Sequence, residues 1–201
     1  MHRLSRALTA AALLLIVGCA GPTPGEGIAP GTQDTESSGP QPTPVKVANL
    51  ESCNKLRQLT PPLPAGDRLL DITLPCLIAG PAVNMNRLGG GPAVVNLWAT
   101  WCEPCRREMP RLQAAHKRQS NRIQFLGVNT KDRPDWAGEF IQEIKVTYPE
   151  VVDVDGQLLA SLHSPGLPVT VALDRDGRIV DRQIGEVSDQ RLTELVAAAS
   201  Q

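Results

Sequence analysis

Aromatic residues are scarce. They make up 3% of the 201 residues, and all six lie at Trp98 or later. Large rings dominate core energetics, so residues 1–97 are not expected to build a sizeable core alone. A dominant charge is missing as well. The net charge is −1, and basic residues occur only in short pairs, which excludes a nucleic-acid footprint. No stretch reaches the roughly 20 apolar residues of a spanning helix. A second Cys-x-x-Cys is absent, and His116 and His163 stand at no ligand spacing from the first. Structural zinc uses four such ligands, so no metal is expected. Gly89-Gly90-Gly91 is not followed by Gly-Lys-Ser/Thr. That excludes a phosphate loop and leaves a turn.

What is present begins with a targeting pattern. His2, Arg3 and Arg6 precede a short apolar stretch from Ala7 to Val17, the layout of an export signal over 1–18. It ends Ile16-Val17-Gly18-Cys19, which resembles a bacterial lipobox with Cys19 as lipid anchor. An ordinary signal peptide with an incidental cysteine is the alternative. Residues 19–48 are rich in Pro, Gly, Ser and Thr and too poor in apolar groups to offset the entropy of ordering. They read as a tether with an end-to-end distance of roughly 30 Å, holding a domain on the outer face of a bacterial membrane.

Residues 49–91 read as an N-terminal extension with Cys53 and Cys76. Four cysteines besides Cys19 allow three pairings. Cys102 and Cys105 are local partners, so Cys53–Cys76 is the economical remainder, and an exported protein can keep it. The chain-entropy model gives roughly 3 kcal/mol for such a loop. A regulatory dithiol is the alternative to a structural bridge. Leu69 to Leu74 and Ala82 to Met85 are candidate short strands.

Regular patterning starts at Pro92. Ala93 to Trp98 reads as a central strand buried on both faces. Cys102 caps a helix on which Cys105, Met109, Leu112 and His116 recur. Ile123 to Val128 is a second strand. Pro134 opens a helix with Trp136, Phe140 and Ile144 as its apolar stripe. Residues 151–155 read as a connection, and Gln157 to Leu162 as a short helix. Asp174-Arg175-Asp176-Gly177 turns a hairpin between Val169–Leu173 and Arg178–Ile184. Ser188 caps a last helix. The expectation is an α/β domain over 92–201: a mixed sheet flanked by helices.

The chemistry centres on Trp101-Cys102-Glu103-Pro104-Cys105. A free thiol has a pKa near 8.5. At a helix N-terminus, unpaired N–H groups and the macrodipole favour the thiolate. Cys102 is expected to be the exposed attacking thiol and Cys105 the resolving one. Neither metal nor cofactor is needed.

The order of elements, Trp-Cys-Glu-Pro-Cys and Gly166-Leu167-Pro168-Val169-Thr170 resemble the thioredoxin superfamily. Leu97 to Cys102 with Cys105-Arg106-Arg107-Glu108-Met109-Pro110 are similar to its TlpA/ResA-like branch, from about residue 70 onward. The resemblance implies a thioredoxin fold and an extracytoplasmic, membrane-anchored thiol–disulfide oxidoreductase. It implies a cis Pro168 facing the dithiol, with Leu167 and Trp101 toward the partner protein. Asn96 stands where thioredoxins carry a buried acid. Glu108 stands where ResA-like proteins carry a glutamate, implying an acid–base role; a solvated helix glutamate paired with arginines is the alternative. Implied partners are protein thiols and disulfides, including apocytochrome c, and a membrane thiol-electron transporter. A disulfide oxidase for exported proteins uses the same residues. A non-catalytic binding lipoprotein on this fold is a third reading.

Overall fold

Strand β3 (Ala93–Trp98) organises the domain, and all six of its residues are buried. In the computed structural model, residues 42–119 and 122–201 are described. The expected signal segment 1–18, Cys19 and most of the tether lie outside them.

After β3 come α1 (Glu103–Gln119), β4 (Gln124–Thr130), α2 (Pro134–Ile144) and β5 (Glu150–Asp153). Then follow α3 (Gln157–Ser161), β6 (Val169–Leu173), β7 (Ile179–Ile184) and α4 (Asp189–Ala199). The sheet order is β5-β4-β3-β6-β7. β3, β4 and β5 run parallel, while β6 and β7 are antiparallel to their neighbours. A mixed sheet flanked by helices is the thioredoxin fold expected. β7 alternates half-buried and exposed residues, as an edge strand does.

Local signals account for most element ends. Ser188 accepts a hydrogen bond from the Arg191 N–H and caps α4. Pro134 opens α2, where its missing N–H costs nothing. Gly177 turns the β6–β7 hairpin at φ +76°, with Leu88 O where a Cβ would stand.

Three expectations change. Residues 151–155 are not a mere connection, since most of that span is β5. The strand is four residues long and opens on a glutamate beside Pro149, so it carries no apolar alternation. Its pairing to β4 is tertiary. On α2 the buried stripe is Ala137, Phe140 and Ile141. Trp136 is instead 50% exposed, with the Arg133 guanidinium 4.5 Å from its ring. The tether gives way to the domain before residue 48, because Val45 N–H donates to Leu77 O at 2.9 Å and Val47 packs on the core.

The sheet buries two faces. Met109 and Leu112 of α1, Phe140 and Ile141 of α2, and Leu192 and Leu195 of α4 cover one. Leu158 and Leu159 of α3 cover the other together with Leu69, Leu74, Val83, Met85 and Leu88. The extension lacks aromatics, but its aliphatic residues complete a core they could not form alone. Within it, β1 (Thr73–Leu74) pairs with β2 (Val83–Asn84). The Cys53–Cys76 disulfide, Cα atoms 6.1 Å apart, closes this segment. Cys76 bridges Val151, and Leu77 N–H donates to Glu150 O at 2.8 Å, so the outer edge of β5 is covered.

Replacing Cys53 and Cys76 together with alanine is expected to lower stability by about 3 kcal/mol. Denaturant unfolding under oxidising conditions measures it. The loss should vanish when both proteins are compared fully reduced.

Candidate active site

β3 ends at Trp98, and the chain turns through Ala99, Thr100 and Trp101 into α1. Asp132 holds this turn. Its Oδ2 accepts from Thr100 N–H at 2.6 Å and its Oδ1 from Thr100 Oγ1 at 2.9 Å. Asn129 Nδ2 donates to the same carboxylate at 2.9 Å. Sequence reasoning missed Asp132, because a single acid in a polar loop carries no pattern.

Cys102 and Cys105 form a disulfide across the first turn of α1, Cα atoms 5.3 Å apart. Cys102 Sγ accepts from Cys105 N–H at 3.3 Å. An unpaired helix donor thus points at the first sulfur, the arrangement that favours a thiolate once the bond is reduced. Cys102 is 5% exposed and Cys105 is buried. The expected exposure of Cys102 is therefore not seen in the disulfide, which folds Sγ back over the helix end. Glu103 faces solvent, beside Arg107 at 3.2 Å.

Glu108 is buried, one helical turn beyond Cys105. Its Oε1 accepts from Asn96 Nδ2 at 2.8 Å and its Oε2 from Val187 N–H at 2.7 Å. Asn96 Nδ2 also donates to Thr170 Oγ1 at 3.0 Å. The solvated, arginine-paired alternative does not describe this residue. Arg107 and Arg111 instead hold Glu186, at 2.8 and 2.9 Å. Burial pushes the Glu108 carboxyl up to about 7, against the two hydrogen bonds that lower it.

Leu167–Pro168 is cis. Leu97 pairs with Val169, so Pro168 follows beside Trp98, at the sheet end where the Cys102 turn departs. Leu167 is half-buried against both core clusters. Trp101 is 61% exposed, its Nε1 donating to Lys131 O at 3.0 Å. With Thr100, Arg106, Trp136 and Phe140 it lines an open depression of about 390 Å³. Trp98 is buried and donates through Nε1 to Glu150 Oε2 at 2.8 Å. Glu150 was hidden in the unrecognised strand. His116 packs edge-on to Phe125 and Tyr148, 3.4 Å from Glu51, and His163 is exposed away from these groups.

A redox disulfide at a helix N-terminus, a cis-proline at the adjoining sheet end and this sheet order define a thioredoxin-fold thiol–disulfide oxidoreductase. Comparison with known proteins makes the assignment narrower. Residues 64–198 match the Redoxin family, and the chain belongs to it. Within that family it falls among the ResA-like proteins. The thiol–disulfide oxidoreductase ResA of Bacillus subtilis is 27% identical over 114 residues, 56% of this chain and 64% of that one. The thiol:disulfide interchange protein HelX of Rhodobacter capsulatus is 32% identical over 139 residues, 61% and 77% of the two chains. The solved structure of MTB DsbF superposes with a TM-score of 0.59 at 27% identity, covering 65% of this chain and 96% of that one.

The Glu108 geometry fixes the sign of a pH effect. Its value when folded lies above the ordinary 4.5, so the native state binds this proton more tightly than the unfolded chain. Stability is lost as pH rises from about 4.5 through about 7. Glu108→Gln should remove that slope and gain on the wild type by up to about 3 kcal/mol toward pH 8. Urea titrations across this range give the measurement, and parallel wild-type and variant curves would contradict it.

Proposed function

We propose that this chain is a disulfide reductase acting outside the cytoplasmic membrane, and that it keeps the haem-binding thiols of apocytochrome c reduced. The observation that carries the reading is Glu108, buried between Asn96 and Val187 one turn from the dithiol. A carboxyl that titrates near neutrality can exchange a proton with a thiol at working pH.

In the reduced protein, the Cys102 thiolate attacks a partner disulfide. A Cys102–partner disulfide forms, and the displaced partner sulfur leaves as a thiolate and takes a proton. Cys105 then gives its proton to Glu108 and attacks Cys102 Sγ. The second partner sulfur leaves, and the Cys102–Cys105 disulfide remains. Two electrons have passed to the partner, and a membrane thiol-electron transporter restores them. Pro168, Leu167 and Trp101 form the surface on which the partner's extended chain lies. Cys19 bears the lipid anchor, and the Pro-rich residues after it tether the domain. The buried Cys53–Cys76 pair supports the oxidising compartment that this requires.

Cys102→Ser is expected to abolish turnover. Cys105→Ala should retain the first attack and accumulate a mixed disulfide that gel mobility and mass spectrometry identify. A strongly reducing couple with capture of apocytochrome c supports the reading. A strongly oxidising couple that captures unfolded exported proteins replaces it with an oxidase. Glu108→Gln should slow exchange about 10²-fold. An unchanged thiol titration and exchange rate in that variant would remove Glu108 from the mechanism.

A further inference from the structure

The exchange steps leave one deeply buried carboxyl without a role. Glu150, on β5, is fully enclosed. Its Oε2 accepts from Trp98 Nε1, while its Oε1 has no partner among the described residues. Desolvation holds the carboxyl well above the ordinary range. The side chain lies over Gly127, where a Cβ would overlap both carboxyl oxygens. Only glycine leaves this space.

The pairing register shows what lies beyond. Gly127 pairs with Glu150 on one side and with Asn96 on the other, and Asn96 pairs with Thr170. Thr170, Asn96, Gly127 and Glu150 thus form one row across four strands, and paired positions share a face. Trp98, two residues beyond Asn96, shares it too. The Asn96 amide uses Nδ2 for Glu108 and Thr170, and its Oδ1 is buried without a donor. Two orphan oxygens therefore flank a residue with no side chain between them. Two bare acceptors cannot satisfy each other, but an acid hydroxyl and an amide oxygen can.

We propose that Glu150 is a neutral carboxylic acid whose Oε1–H donates to Asn96 Oδ1, making it a positioning residue that locks the Asn96 amide with Nδ2 toward Glu108. The inference rests on the acid–base role given to Glu108. The titratable groups on this side of the sheet are the Tyr148 phenol, whose proton is held more tightly by burial and by the Glu150 and Glu108 carboxyls, and Glu108 itself. Asn96 lowers the proton affinity of Glu108 through its hydrogen bond. Loosening the amide should therefore raise it. Glu150 touches neither sulfur and acts through Asn96.

The test follows the alkylation rate of the reduced full chain against pH. Glu108→Gln should abolish the inflection near 7. Glu150→Leu keeps the volume but removes the donor, and should move the inflection up by about one pH unit. Glu150→Gln, with an amide N–H in place of the hydroxyl, should restore it. In a Glu108→Gln background, where Glu108 contributes no such band, infrared spectra at neutral pH should show a protonated-carboxyl carbonyl band that is lost on adding Glu150→Gln. An unmoved inflection in folded Glu150→Leu overturns the inference, as does loss of no such band on adding Glu150→Gln. If Glu150→Leu fails to fold, the infrared comparison decides alone. If Glu108→Gln leaves the inflection intact, the Glu108 role falls and takes this inference with it. If Glu108→Gln abolishes the inflection and Glu150→Leu does not move it, this inference alone falls.

Discussion

A carboxyl group with no cation in contact sits in the core beside a disulfide. Glu108 is held by two neutral donors, Asn96 Nδ2 and Val187 N–H. Desolvation outweighs them, so the group stays near the balance between charged and neutral. The arrangement needs three distant pieces of chain: α1 for the acid, β3 for the amide, and the β7–α4 connection for the backbone donor. Each hydrogen bond also registers α1 against the sheet. Because the dithiol opens α1, the contacts that tune the acid also place the sulfurs at the end of β3, beside Pro168.

The surrounding charges keep the acid isolated. Arg107 and Arg111 lie on the same helix and could reach inward. Glu186, the residue before Val187, engages both at the surface instead. A direct ion pair would hold Glu108 ionised, and it would then carry no proton at neutral pH. The neighbouring residues Glu186 and Val187 thus play opposite parts, one drawing the arginines out and the other holding the carboxyl in.

The parts legible in the sequence are those whose cause is local. β3 announces itself as an apolar run, the β6–β7 hairpin by Asp174 to Gly177, and α4 by Ser188 and its spacing. Cys102, Cys105, Glu108 and Pro168 were read from motif positions, and the fold gathers them at one end of the sheet. What escaped is tertiary. β5 is strand only because β4 lies on one side and residues 75–77 on the other. Leu69 and Leu88 fill gaps over the second face rather than line an element of their own, whereas Val83 lies in β2, inside the strand expected over Ala82 to Met85. Asp132 and Glu150 carry no pattern in the sequence, and their meaning comes from Thr100 and Trp98 across the fold. Trp136 was assigned inward on hydrophobicity, but the helix rotation that buries Ala137 and Ile141 leaves it at the surface.

The two disulfides show how one chemical bond takes two parts in one domain. Cys53 and Cys76 are both buried, and Cys53 Sγ lies 3.5 Å from the Glu150 carbonyl oxygen. That negative dipole disfavours a thiolate, and no long helix begins at either residue. Cys102 instead receives a helix N–H and precedes a 17-residue helix. Exchange requires a thiolate, and since Cys76 is no less exposed than Cys102 at 5%, it is the local field that separates the pairs. The staple also bears on the site, since Cys76 and Leu77 fasten the strand that carries Glu150. The segment without aromatic residues is thus tied, through β5 and Trp98, to the strand end from which the reactive cysteines depart.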